Sequence, residues 1–292
     1  MELKKGFNRV MVGHYNIFQA FTGFMLVCMN YMAKKCKNLH RKAGKASLKK
    51  YIVKENNQKY YNINGVKLID ISFRNFEDIL LIHTFYNDNY DKNIVETIEK
   101  CGIETPYCYK DEAFDVTVNE NDIVIDAGSS VGEFCAYTAS KKALCYAFEP
   151  TKSRFDELCK TAQLNKGCII PVKKGLSDSC GNIEIMTDIM SPSFVLTKGG
   201  GKTETIEVIT LDKYVEETGL KKVDFIKSDI EGAERNLLMG ARNVLKKFSP
   251  KLSICTYHLP DDPEVLAKII MEANPKYKIV QLKAKLMAMV IE

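Results

Sequence analysis

From Asn121 to the C-terminus, short apolar runs alternate with segments whose apolar residues recur at helical spacing. IVIDAG (123–128) is a β-branched run ending in glycine, and a helix is predicted over about 132–141. ALCYAFEP (143–150) reads as the second strand, and CIIPV (168–172) as the third. Between them Phe155, Leu158, Cys159 and Ala162 share one helical face. Such alternation predicts βαβ units and a mostly parallel sheet with helices on both faces. A turn at Gly181 leading into NIEIM, a glycine-rich loop over 197–205 and TIEVITLDKYV interrupt it. VDFIKSD then resumes as a strand. The next helix carries Leu237, Ala241, Val244, Leu245 and Phe248 on one face, and KLSICTYH follows as a strand. Asp262 and Pro263 are placed to start the last helix, and YKIVQL with MAMVIE to form a terminal hairpin.

The first 118 residues have a different texture and read as a helical and mixed extension or cap before a main domain at 119–292. No charge occurs between Val10 and Ala33, but His14, Asn16, Gln19 and Asn30 interrupt the apolar run, which favours a packed helix over a membrane span. Eight basic residues between Lys34 and Lys50 read as a solvated face; peripheral membrane contact through residues 10–50 is the minority reading. A net charge of +5 on 292 residues gives little support to nucleic-acid binding. Ten scattered cysteines without a CxxC pair suit reduced thiols in a cytoplasmic protein.

Candidate chemistry gathers where strands end. In DAGSSVG, Gly128 and Gly132 lie between a buried strand and a helix, where an absent side chain lets a ligand approach the backbone. Glu149 ends the next strand, where a carboxylate can accept hydrogen bonds from both hydroxyls of a ribose. The turn lacks the glycine that brings a pyrophosphate onto a helix N-terminus, so a nucleoside without phosphates fits better than a dinucleotide. KSDIEGAE brings Lys227, Asp229 and Glu231 to the carboxyl edge of the sheet, and His258 reaches the same edge from KLSICTYH. A carboxylate there, or a neutral His258, would serve as general base; the plainer reading has Glu231 and Glu234 favouring a helix N-terminus. Three oxygen or nitrogen ligands are no metal signature, and no metal is expected.

In order and spacing, VIDAGSSVGEF, YAFEP, GLSDSCG, ITLDKY, VDFIKSDIEGAERNLLMGA and TYH resemble the FkbM family of methyltransferases over about residues 120–280. The resemblance implies a class I, Rossmann-like α/β fold, S-adenosyl-L-methionine as cofactor, and methyl transfer to oxygen of a sugar, glycan or other small molecule. Carried over by position, Asp126 and Gly128 would lie near the methionine moiety, Glu149 at the ribose, and Ser177 or Asp178 near the adenine. Asp178 reads equally as a turn residue. Ser129 and Ser130 stand where the family usually has alanine and asparagine, which shifts expectations for that part of the cofactor turn. The rivals are a nicotinamide-dependent oxidoreductase on a similar fold and a non-catalytic binding module.

Overall fold

The computed structural model describes residues 51–55, 58–63, 65–69, 107–187 and 202–291. The N-terminal apolar run, the basic stretch at 34–50 and the helix read at NIVETIEK lie outside the described residues. Ile52–Glu292 forms one compact unit.

A small antiparallel sheet comes first, with β1 (Ile52–Glu55), β2 (Gln58–Ile63) and β3 (Val66–Ile69) in that order. It is followed by the short pair β4 (Tyr109–Lys110) and β5 (Asp115–Val116). The alternating region then gives β6 (Ile123–Ala127), α1 (Glu133–Ser140), β7 (Leu144–Phe148), α2 (Lys152–Leu164) and β8 (Ile169–Val172). The interruption is a second three-stranded sheet of β9 (Gly175–Leu176), β10 (Gly181–Met186) and β11 (Thr203–Ile209), leading into α3 (Leu211–Thr218). Alternation resumes with β12 (Phe225–Ser228), α4 (Glu234–Met239), α5 (Arg242–Phe248), β13 (Lys251–Cys255) and α6 (Asp262–Ala273). A closing hairpin, β14 (Tyr277–Gln281) and β15 (Lys285–Val290), completes the order.

The main sheet runs β14-β15-β13-β12-β6-β7-β8. β13, β12, β6, β7 and β8 are parallel, and β15 is antiparallel to both neighbours. This is the class I methyltransferase arrangement expected from the sequence. Because successive side chains of a strand point to opposite faces, Val124 and Phe225 join α1 and α2 in one core cluster, while Ile125 and Ile226 join α3 to α6 in the other. Strands buried on both faces read as continuous apolar runs, which is why they stood out in the sequence. The β3 strand lies on α1 and α2, where the Asn165 side chain donates to the Lys67 carbonyl at 2.8 Å. Among the described residues no helix is long and apolar enough to cross a membrane.

One predicted helix divides. The face carrying Leu237, Ala241 and Val244 is buried as expected, but α4 ends at Gly240 before α5 begins, and the position requires glycine because a Cβ there would lie 2.0 Å from the Ser177 carbonyl oxygen. Asp262 also departs from expectation: it sits inside α6, and its carboxylate accepts from Leu259 N–H and from Arg235 instead of capping its own helix.

Strand order reverses between β6 and β12, and in open α/β sheets such a switch point opens a crevice at the carboxyl ends. Asp126 and Lys227 are register partners there, as are Ala127 and Ser228.

Candidate active site

The DAGSSVG turn leaves β6 with Gly128 at φ 73°, Ser130 at 52° and Gly132 at 92°. Glycine is needed at two of these positions for packing. A Cβ on Gly128 would stand 1.9 Å from the Asp229 carbonyl oxygen, so the backbone pressed against this glycine is that of the turn after β12. A Cβ on Gly132 would meet Leu158 and Thr161 of α2 at 2.9 and 3.0 Å. The amides of Gly128 and Ser129 both donate to the Phe148 carbonyl, which ties the turn to the end of β7. Ser129 points inward, its hydroxyl donating to the Asp126 carbonyl at 2.7 Å.

Beneath the turn lies an ion pair with almost no solvent contact. Lys227 Nζ is 3.0 Å from Asp126 Oδ1, the two side chains being 5% and 0% exposed. The same ammonium donates to the carbonyls of Gly128 at 2.8 Å and Ala127 at 3.3 Å. Burial works against its charge, but Asp126 and Asp229 outweigh burial and hold it well above the ordinary lysine value. Lys227 is thus a strut joining the ends of β6 and β12. The other Asp126 oxygen accepts from the Cys135 thiol at 2.9 Å.

Glu149 is buried at the end of β7. One of its oxygens accepts from Ser130 N–H at 3.0 Å, and the other from the amide and hydroxyl of Thr151. Burial raises its pKa, while the Thr151 and Ser130 hydrogen bonds pull the other way. A carboxylate has about four lone-pair sites, so these three donors leave acceptor capacity at the mouth of the turn. Further along the edge, Ser177 is buried with its hydroxyl donating to Asp178 at 3.2 Å, and exposed Asp178 also accepts from Ser179.

On the other side of the switch point a second group assembles around Asp229. Tyr107 donates to its Oδ2 at 2.6 Å, the length of a charge-assisted hydrogen bond, and Tyr257 to its Oδ1 at 3.0 Å. The Tyr107 ring also receives Lys285 Nζ at 4.2 Å and Lys227 Nζ at 4.9 Å from its centroid. Burial disfavours the Asp229 carboxylate, yet Lys227, Lys285, the Tyr107 hydroxyl and His258 together bring its pKa below the ordinary value. Glu231 follows at φ 56° and Gly232 at φ 100°, a tight turn closed by buried Glu234, which accepts from Ile230 N–H at 2.8 Å and Gly232 N–H at 3.0 Å.

His258 packs into this turn. Its Nε2 lies 3.3 Å from Glu231 and 3.6 Å from Asp229, and its Nδ1 3.2 Å from Glu234. Burial alone would lower its pKa, but contacts with Glu231 and Glu234 and the charges of Glu234 and Asp229 raise it to about 10. The sequence reading gives His258 a neutral imidazole that accepts a proton. Three surrounding carboxylates, of Asp229, Glu231 and Glu234, favour the protonated ring instead. The loop beyond it is fastened by Arg235, which bridges to Asp261 at 2.6 Å and Asp262 at 2.9 Å.

The sequence profile described as "Methyltransferase FkbM domain" matches residues 126–279, from the end of β6 into β14. The chain belongs to the FkbM methyltransferase family. Among its relatives, "Hexuronic acid methyltransferase AglP" of Haloferax volcanii is 33% identical over 168 residues, covering 56% of this chain and 67% of that protein. "Methyltransferase sdnD" of Sordaria araneosa is 25% identical over 179 residues, 47% of this chain and 69% of that one. A solved structure, the FkbM methyltransferase of Methylobacillus flagellatus KT, aligns at 21% identity with a TM-score of 0.49, over 73% of this chain and 59% of its own.

This FkbM methyltransferase brings most of its sequence-read candidates to one sheet edge: Gly128, Ser129, Gly132 and Glu149 on one side of the switch point, Asp229, Glu231 and His258 on the other. Asp126 and Lys227 lie under the edge, and Ser177 with Asp178 off its end. Three participants escape a reading from motifs. Tyr107 and Lys285 flank the FkbM domain in the chain, and only a lysine opening an otherwise apolar strand, KLMAMV, hints at a buried partner. Tyr257 was part of the TYH block without a role of its own.

Proposed function

We propose that this FkbM methyltransferase uses S-adenosyl-L-methionine, holds it over the DAGSSVG turn, and methylates an oxygen of a sugar, with acidic sugars the first class to test. The observation that carries the reading is Glu149: a buried carboxylate at the switch point, fixed by Ser130 and Thr151 and retaining about one acceptor site, suits a hydroxyl of a ribose. The donor set fits a nucleoside, since the turn has no glycine where a pyrophosphate would need one. The sugar class draws support from the hexuronic acid methyltransferase relative.

When bound, the cofactor supplies a methyl group already activated on a sulfonium, which leaves binding, alignment and the acceptor proton to the chain. Gly128, Ser129 and Gly132 shape the floor, Asp126 and Lys227 act as positioning residues beneath it, and Ser177 and Asp178 border the adenine. Asp229 and Glu231 face the acceptor. Asp229, held ionised, acts as the local negative charge and general base, Glu231 accepts a hydrogen bond from the acceptor, and His258 acts as a positioning residue behind Glu231.

Incubation of the full chain with methyl-labelled cofactor and hexuronic acid glycosides, neutral glycosides or cell glycans tests this. Label transfer to a carbohydrate oxygen is expected. Protein that binds the cofactor but labels no carbohydrate would overturn the acceptor class.

A further inference from the structure

Asp229, Glu231 and His258 each offer one ligand atom, and the three atoms lie within 4.8 Å of one another. Their separations are informative. Bonds of about 2.1 Å to a first-row divalent ion put neighbouring ligand atoms roughly 3.0–3.4 Å apart, depending on whether they meet at octahedral or tetrahedral angles. Nε2 of His258 stands 3.3 Å from Glu231 and 3.6 Å from Asp229. Both separations from the histidine lie close to that range, and rotation of the Asp229 and Glu231 carboxylates, whose ligand atoms lie within 4.8 Å of one another, would bring all three onto a common centre.

A second observation comes from the imidazole itself. The His258 side chain is only 8% exposed, neither ring nitrogen has accessible surface, and neither makes an aligned hydrogen bond, although carboxylates surround both. The ring is therefore held among these carboxylates by charge and without directed hydrogen bonds, whereas buried polar atoms ordinarily make them. Nε2 is aimed between Glu231 and Asp229, while Nδ1 faces Glu234, whose two oxygens are already committed to the turn amides. A histidine with one nitrogen directed at a fixed carboxylate and the other at two more ligands has the arrangement of a carboxylate–histidine–metal relay, in which the outer carboxylate sets tautomer and ring angle. Each Asp229 oxygen takes one phenol donor, which leaves Oδ1 a lone pair for an ion.

We propose that Asp229, Glu231 and His258 form a divalent-cation site at the carboxyl edge of β12, with Glu234 as the orienting carboxylate behind the histidine. Two carboxylates and one imidazole favour a manganese- or magnesium-class ion with remaining positions open toward the acceptor side. Its role rests on the methyltransferase reading: the ion would lower the pKa of an acceptor hydroxyl, whose proton passes to solvent water as the oxygen–methyl bond forms and the methyl–sulfur bond breaks, the electron pair staying on the thioether. The site itself stands without that role.

The test is calorimetric titration of manganese(II) chloride into the full chain at neutral pH, without cofactor, on the parent and on Glu231→Gln, His258→Gln and the exposed helix control Glu216→Gln. The parent and the control are expected to bind one ion per chain. Both site variants should weaken binding roughly tenfold or more, with folding verified by circular dichroism. Cobalt(II) supplies an independent reading, its visible spectrum in the parent changing on His258→Gln. No saturable binding below about 1 mM, the weak end for protein cation sites, or equal binding by parent and site variants, would overturn the proposal. Cofactor titration of the same samples is separate, so a failed cation site and a failed cofactor site give different results.

Discussion

Replacing Lys227 by methionine keeps most of the stem and removes the ammonium, leaving the Asp126 carboxylate at 0% exposure with the Cys135 thiol as its remaining side-chain donor. The Ala127 and Gly128 carbonyls lose their contacts to it as well. Removing one partner of a buried pair costs about 3–5 kcal/mol, chiefly because the other charge is stranded. With a urea slope of about 2–3 kcal/mol/M, the unfolding midpoint should fall by roughly 1–2 M. Neutralising the stranded partner should reverse part of the loss: Asp126→Asn combined with Lys227→Met is expected to be more stable than the sum of the single variants by about 1–3 kcal/mol. Urea unfolding followed by far-ultraviolet circular dichroism gives all three numbers. If Lys227→Met lost less than about 1 kcal/mol, or if the double variant lost the plain sum, Lys227 would not be the strut joining β6 to β12. A chemical role for Lys227 would instead reduce turnover and leave the midpoint alone.

Gly128→Ala should yield little folded protein, since its Cβ would stand 1.9 Å from the Asp229 carbonyl oxygen at a backbone φ of 73°; a normal yield with a parental melting curve would contradict this. Glu149→Ala should weaken cofactor binding by on the order of 10-fold or more, from one hydrogen bond to a charged acceptor at about 1.5–3 kcal/mol less partial replacement by water. It should also lower stability, because Ser130 and Thr151 lose an acceptor. The raised pKa of Glu149 has a defined sign. Above the unfolded value near 4.5 and below the folded one, the folded chain binds the extra proton, so this residue's contribution to stability falls as pH rises through that window. Relative to Glu149→Gln, the cofactor-free parent should lose stability over that interval, while its cofactor affinity, which needs the carboxylate, should rise. A stability difference that stays flat as pH rises from 4.5 would contradict the assignment.

Much of this architecture was legible because it is local. β6, β7 and β12 are buried on both faces and announce themselves as apolar runs, and DAGSSVG and Glu149 fall at their ends, where an open α/β sheet places its ligands. What was not legible depends on meetings between distant segments. Gly128 invited a reading as room for a ligand, but Asp229, 101 residues onward by the numbering, fills that space with backbone. His258 looked like a neutral base because its three carboxylate neighbours belong to the turn before α4, brought to it only by the β12 to β13 pairing. The need for glycine where α4 ends is written in the position of Ser177, on the second sheet's approach, and not in the periodicity of the helix. Glu231 and Glu234 shared one plain reading as helix-end charges. The fold separates them: Glu234 closes the turn, and Glu231 turns to His258.

The central claim is that the switch point between β6 and β12 is a nucleoside site for S-adenosyl-L-methionine, and calorimetric titration of its demethylated product, S-adenosylhomocysteine, beside NAD tests it most directly. One molecule of the former per chain, with no heat from NAD and with affinity lost in Glu149→Ala, is the result predicted. Binding of NAD instead, or equal affinity for S-adenosylhomocysteine in a folded Glu149→Ala chain, would contradict it.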